Sequence, residues 1–225
     1  MRVSIIVPAL DEVRGIAATL APLQPLRAEG HQVIVVDGGS CDGTLALASH
    51  FADRAFVGKR GRAVQMNAGA ATASGDVLVF LHADSQLQPS AIATLLRDMQ
   101  RSRRRWGRFD VTIAGRSGTL RVVAAAMNAR SRATGMATGD QAMFVERALF
   151  ESVGGFPDQP LMEDIELSRR LKRISPPLCL HARVTTSGRR WERRGVVRTI
   201  LLMWRLRLAH FFGTSPESLA RRYNT

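Results

Sequence analysis

Four short stretches carry side chains whose types and spacing could do chemistry. "VLVFLHADS" (77–85) ends an apolar run in His82 and Asp84. Residues two apart on a strand share a side, and a carboxylate at a strand end suits a hard divalent cation with oxygen ligands. The same residues would also serve as a buried histidine and a helix cap. Asp37 ends "QVIVVD" and precedes Gly38-Gly39-Ser40, where small residues let a ligand reach the backbone. It could accept a hydrogen bond from a base N–H, or cap the next helix. Lys59, Arg60 and Arg62 sit in a Gly-flanked loop before a helix; cations beside helix N–H groups favour phosphate, the bland alternative being a solvated basic loop. Glu163-Asp164 opens a helix in "PLMEDIELSRRLKR". Adjacent acids there complement the helix dipole, and one could equally be a general base toward an acceptor hydroxyl.

The elements that must hold these residues alternate through the first hundred positions. Residues 2–8, 32–40, 54–58 and 77–82 read as strands, and 12–28, 61–75 and the segment around Ile92, Leu95, Leu96 and Met99 read as helices. Pro22 and Pro25 should kink or shorten the first helix. Ser40 or Asp42 caps a helix carrying Leu45, Ala48 and Phe51. This alternation predicts an α/β domain with a mostly parallel central sheet flanked by helices. Further on, a strand is expected near Phe109–Ile113, a helix over 119–133, a strand in "DQAMFV" and a short helix over 147–153. With no repeat or linker in sight, 1–225 reads as one domain.

The chain has 225 residues, 45% hydrophobic, enough for one sizeable core. Its net charge of +13 attracts nucleotides, polyanions or anionic lipid without choosing among them. Cys41 and Cys179 are too few for a disulfide framework, so a reducing compartment is expected. The N-terminal apolar run is cut short by Pro8 and two acids, unlike a signal peptide. No apolar stretch is long enough to span a bilayer. Neither G-x-G-x-x-G after the first strand nor G-x-x-x-x-G-K-[ST] is present, which argues against dinucleotide and P-loop chemistry.

Taken in order, "SIIVPALDE", "VIVVDGGSCDGT", "GDVLVFLHADS" and "GGFPDQPLMEDIELSRRLKR" resemble the successive motifs of family 2 glycosyltransferases with the GT-A fold, over roughly residues 3–175. The DGGS, HAD, GDQ and MED wording resembles a small bacterial subgroup of that family. The resemblance implies a nucleotide-sugar donor, first of all UDP-linked, a divalent cation (Mn²⁺ or Mg²⁺) and inversion at the anomeric carbon. It divides the domain into a nucleotide-sugar-binding half (1–105), an acceptor half (106–190) and a C-terminal basic helical segment (191–225). Carried over residue by residue, Pro8, Ala9 and Glu12 line the nucleoside pocket with Ala83, Asp37 binds the base, and Arg62 approaches the phosphates. Asp84 holds the metal, with His82 as a further ligand. Asp164 is the base, and Glu163 orients it or the acceptor. Asp140, Arg190 and Trp191 fall on the acceptor side.

Three departures from the family pattern stand out. Gly38 occupies the usual second Asp after the strand, and His82 replaces the first Asp of D-x-D. "SGRRWERRG" (187–195) lacks the Gln of a Q-x-x-R-W element.

In "RGVVRTILLMWRLRLAHFFG", Arg194, Arg198 and Arg205 are spaced for one helix face, and Val197, Ile200, Leu201, Trp204, Leu208 and Phe211 form a broad apolar side. Such a helix usually packs on its own core. The alternative is an interfacial helix that brings a cytoplasmic enzyme to the inner membrane face, beside a lipid-linked acceptor. Two rival functions are a nucleotidyltransferase on a similar fold and a non-catalytic nucleic-acid module. The first would want a Gly-rich phosphate loop after the first strand. The second rests on the charge and on "RSRRRWGR", but aromatics are only 6% of the chain and are not interleaved with the bases. No nucleic-acid partner is expected.

Overall fold

The computed structural model describes residues 1–224, apart from the side chains of Arg190 and Asn224. The chain opens with β1 (Val3–Ala9), α1 (Ile16–Leu20), α2 (Gln24–Ala28), β2 (Gln32–Asp37), α3 (Thr44–Ser49), β3 (Arg54–Val57), α4 (Arg62–Ala71) and β4 (Val77–Phe80). There follow β5 (Ser85–Leu87), α5 (Pro89–Ser102), β6 (Trp106–Ala114), α6 (Thr119–Thr134), β7 (Met143–Glu146), α7 (Arg147–Ser152) and α8 (Glu163–Lys172). The chain closes with β8 (Leu178–Ser187), α9 (Arg189–Arg194), α10 (Val196–Phe211) and α11 (Pro216–Asn224).

All eight strands lie in one sheet, ordered β3-β2-β1-β4-β7-β6-β8-β5. β1 pairs in parallel with β2 and β4, and β2 with β3, so their carboxyl ends meet at one edge. β7 runs antiparallel to both β4 and β6, and β6 is parallel to β8. The first strands are buried on both faces because alternate residues feed two cores. Ile5, Val7, Val33 and Val35 pack toward α1, α2, α3 and α5. Ile6, Ile34 and Val36 pack toward α4, α7 and α8. Gly69 lets α4 press onto β1, since a Cβ there would lie 2.5 Å from Ile6.

Several sequence-based expectations change in detail. The helix expected over 12–28 is split into α1, a 3-10 turn over Ala21–Leu23, and α2, as Pro22 and Pro25 require. The opening strand stops at Phe80. His82 to Ser85 form a tight turn closed by the Ser85 N–H on the His82 carbonyl, so His82 and Asp84 are turn residues rather than strand alternates. In "DQAMFV" a 3-10 turn covers Gly139–Gln141 before β7 begins at Met143. Arg194 ends α9, and Gly195 at φ 80° breaks the chain before α10, so Arg194 shares no helix with Arg198 and Arg205. The apolar side of α10 does not pack on the main core: only Ile200 and Val196 touch it, while Val197, Leu201, Trp204, Leu208 and Phe211 are exposed.

Candidate active site

Two adjoining hollows open at the carboxyl edge of β1 and β4. The larger, about 480 Å³, is floored by Pro8, Ala9, Ala83 and Asp84 and walled by Glu12 and Arg62. The smaller, about 100 Å³, holds Asp164, Asp140 and Trp191. Arg62, His82 and Asp140 border both. A cleft outside the carboxyl ends of parallel strands is where α/β sheets bind ligands.

Each wall has a local cause. β1 delivers Pro8 and Ala9, and Glu12 starts α1 by accepting the Gly15 and Ile16 N–H groups with its carbonyl. The Glu12 carboxylate takes a bond from Arg189 Nη2 at 3.1 Å, which ties α9 to the start of α1. Thr19 Oγ1 donates to the Ala83 carbonyl at 2.7 Å and fixes the HAD turn from below. Arg62 begins α4 after Gly61, whose φ of 139° suits glycine.

Charge is concentrated around Arg62. Its Nε lies 2.5 Å from Glu163 Oε1, and Glu163 is buried. Burial works against the Arg62 charge, but Glu163, Asp164 and Asp140 outweigh it and raise its pKa, holding it cationic. Glu163 therefore orients Arg62, and its Oε2 has no hydrogen-bond partner among the described residues. Asp164 follows on α8, which starts from Met162 in the left-handed region at φ 65°. Its Oδ2 accepts the Gly139 N–H at 2.8 Å and its Oδ1 the Ile165 N–H at 2.8 Å. Burial first, then the neighbouring Glu163 charge, push the Asp164 carboxyl up to about 6 against the pull of Arg62 and the two N–H groups. A carboxyl held near neutral pH can take a proton during a reaction.

The HAD and GDQ turns meet through His82. Its Nδ1 stands 3.4 Å from Asp140 Oδ1. Its Nε2 is buried with no hydrogen-bond partner among the described residues and faces Gly139, where an added Cβ would lie 2.4 Å away. Asp84 borders the main cleft and a second one, where it joins Asp11 and Glu12 opposite Arg189, Arg193 and Arg194.

Asp37 stands apart. It is buried, does not line the cleft, and its Oδ1 closes the DGGS turn by accepting the Gly39 and Ser40 N–H groups at 2.7 and 2.6 Å. Its Oδ2 has no hydrogen-bond partner among the described residues. The Arg190 side chain lies outside the described residues, whereas Trp191 is half-buried beside the smaller hollow. Sequence reasoning missed Arg189 and Arg193, and also Thr199, Met203, Leu206 and Tyr223, which roof the smaller hollow. Nothing local to those residues marks them; α9 to α11 bring them in.

Among the described residues no three His, Cys, Asp or Glu side chains form a group that could hold a metal ion. The donor set still fits a divalent cation of the kind held by one carboxylate and completed by substrate phosphates and water. Asp84, at the cleft floor, is the carboxylate available for it.

The description "Glycosyl transferase family 2" belongs to a family model that matches residues 4–122. A curated relative, the probable glycosyltransferase YdaM of Bacillus subtilis (strain 168), is 25% identical over 230 residues, covering 92% of this chain and 53% of its own length. The chain thus spans about half the length of that relative. Among solved structures, S. aureus TarS 1-349 in complex with UDP-GlcNAc superposes with a TM-score of 0.67 at 17% identity, over 83% of this chain and 58% of that one. The mannosyltransferase PcManGT from Pyrobaculum calidifontis, in complex with GDP-Man and Mn²⁺, gives 0.67 at 21% identity over 99% and 68%. These likenesses establish the GT-A fold.

Proposed function

The chain belongs to glycosyl transferase family 2 and is a glycosyltransferase; from that premise we propose that it moves a sugar from a nucleoside-diphosphate donor, UDP first, to an acceptor hydroxyl with inversion. Family membership sets aside the nucleotidyltransferase and the nucleic-acid module. The observation that carries the reading is the pair of joined hollows, with Asp84 and Arg62 in one and Asp164 in the other.

In this reading residues 1–105 hold the donor. Pro8, Ala9, Glu12 and Ala83 border the nucleoside, and the unpaired Asp37 Oδ2 takes a base N–H once the DGGS turn admits it. A buried acceptor without a donor costs about 1–3 kcal/mol, so a ligand that supplies one gains that much. Arg62 and the exposed Arg60 face the diphosphate. A divalent cation on Asp84 would neutralise diphosphate charge as a Lewis acid. UDP-GlcNAc and GDP-Man in the two structural neighbours support a nucleotide-sugar donor.

Residues 106–190 shape the acceptor side, with Asp140 hydrogen-bonding a sugar hydroxyl and Trp191 stacking beside it. The acceptor oxygen attacks the anomeric carbon from the face opposite the diphosphate while Asp164 takes its proton. The bond from carbon to the phosphate oxygen breaks, and the leaving diphosphate's charge is met by Arg62, already fixed by Glu163 and so needing little reorganisation. One carboxylate on the attacking face is what an inverting route requires.

Calorimetric titration with UDP, GDP and their sugar conjugates, with and without Mn²⁺, tests the reading. One nucleotide should bind in a metal-dependent way, and Asp84→Ala should abolish that dependence. Asp164→Asn should keep donor binding while transfer falls by about 10²–10⁴-fold. Metal-independent or absent binding of every nucleotide would overturn the donor site, and a fully active Asp164→Asn would overturn the base.

A further inference from the structure

α10 is two-faced in a way the transferase reading does not use. Its inward residues Thr199, Met203 and Leu206 roof the smaller hollow above Asp164. Its opposite side carries Val197, Leu201, Trp204, Leu208 and Phe211, continued by Phe212 just past its end. These six are 58% to 82% exposed. Their steps of three and four residues keep them on one stripe of a 3.6-residue helix. Arg198 and Arg205 are exposed along one margin of the stripe, and Arg207 runs along the other. Between this helix and its neighbours lies a hollow of about 710 Å³, in which Val197, Leu201 and Leu202 are rimmed by Arg194, Arg198, Arg205 and Arg222.

A soluble surface rarely leaves so many large apolar side chains contiguous. Three occupants could cover them: a second copy, another protein segment, or a lipid surface. A second copy would bring the same arginine margins and the same +13 charge face to face, and like charges so placed are repulsive. Apolar residues between cationic margins, with Trp and Phe among them, match the boundary of an anionic bilayer. There the rings enter the acyl edge and the guanidinium groups reach phosphate. No helix among the described residues is long and apolar enough to cross a membrane, so the helix would lie along the surface.

We propose that the outward face of α10 docks on an anionic phospholipid surface, the arginine-rimmed hollow receiving a headgroup phosphate. Thr199 borders both that hollow and the one holding Asp164. Docking therefore sets the candidate acceptor pocket one helix thickness from the lipid. The docking itself stands on α10 with Arg194 and Arg222 beside it and does not depend on the identity of the donor or the base.

Vesicle flotation of the full chain tests it, with phosphatidylcholine alone and with an equal part of phosphatidylglycerol. The protein should float with the mixed vesicles, weakly with the neutral ones, and less at high salt. Replacing Trp204, Leu208 and Phe211 together by Ser should lower the bound fraction about tenfold or more. These side chains are exposed, so the melting temperature should hold. Arg198→Ser with Arg205→Ser should remove the preference for anionic vesicles. No flotation of the unaltered chain at low salt overturns the proposal, as does flotation that the triple substitution leaves intact. A dimer seen by light scattering and lost in the triple variant, without vesicle binding, overturns it in favour of self-association.

Discussion

Asp164 sits where opposing influences nearly balance. The N-terminus of α8, the N–H groups of Gly139 and Ile165, and Arg62 all favour its charge. Burial and Glu163 oppose them and win, raising the carboxyl to about 6. In the proposed role of base it must be deprotonated, so kcat/KM should climb as pH rises through about 6 and then level off, the limb vanishing in Asp164→Asn; a pH–rate profile reads this directly. Stability follows with the opposite sense. A folded pKa above the ordinary carboxylate value means the fold holds the proton more tightly. Its contribution is therefore full below about 4 and is lost as pH rises through about 6. The stability of Asp164→Asn relative to the unaltered chain should therefore rise between about pH 4 and neutral pH, whatever its level in acid, where the amide nitrogen fails to accept one of the two N–H groups. The gain should be about 1–2 kcal/mol once solvent screening of this half-buried group is allowed for. At this scale much of the candidate site was legible: Pro8, Ala9, Glu12, Arg62, Ala83, Asp84, Asp140, Asp164 and Trp191 all border the joined hollows. Glu163 was legible as a charge but not as the holder of Arg62, a partner 101 positions away in sequence. Asp37 was legible as a strand-end carboxylate, and its burial beneath its own turn was not.

Between elements, the HAD turn meets the GDQ turn with no room for a side chain at Gly139. Gly139 lies against His82, and its N–H also holds Asp164. The 3-10 turn carrying it is fastened by Thr138 and Gln141, whose side chains form a capping box. Gly139→Ala would put a methyl 2.4 Å from His82 Nε2. The half-buried ring can relieve that clash only by moving toward Asp140, or the turn by withdrawing from Asp164. The expected cost is about 1–3 kcal/mol in stability, together with a clear loss of turnover while the donor, held across the cleft, still binds. Thermal melts beside donor titration separate the two effects; an unchanged turnover would show the junction to be slack. The strands β1 to β4 were legible as apolar runs, and the helices α4 to α8 from small residues, apolar spacing or the charges at their ends. Missed were β5, too short to show a period, and β8, which owes its place to pairing with β6 and β5. The position of β7 between β4 and β6 is likewise long-range information that no local pattern contains.

At the scale of the whole molecule, α10 and α11 form a roof with a small core of its own. Leu206 and Leu219 pack on Leu161 and Met162, just before α8, in a cluster separate from the two that sandwich the sheet. Tyr223 on α11 borders both hollows, and Arg194 donates to its carbonyl and stacks over its ring. From sequence this region read as a helix packed on the core or, alternatively, lying at a membrane interface, because an amphipathic pattern says that one face is covered without saying by what. Since the roof has its own cluster, it can loosen while the sheet stays closed. Leu219 is fully buried there, and Leu219→Ala should cost about 2–4 kcal/mol. Most of that should fall on the roof alone, speeding amide exchange in α10 and α11 by about thirtyfold or more, since 1.4 kcal/mol is a factor of ten. Exchange in β1 to β4 should stay as it was. On the proposed reading, in which β1, α4 and the HAD turn hold the donor, donor affinity should change little, whereas KM for the acceptor should rise as the hollow over Asp164 widens. Uniformly faster exchange through sheet and roof together would mean that the cluster is continuous with the main core, and that the site has no separately movable cover.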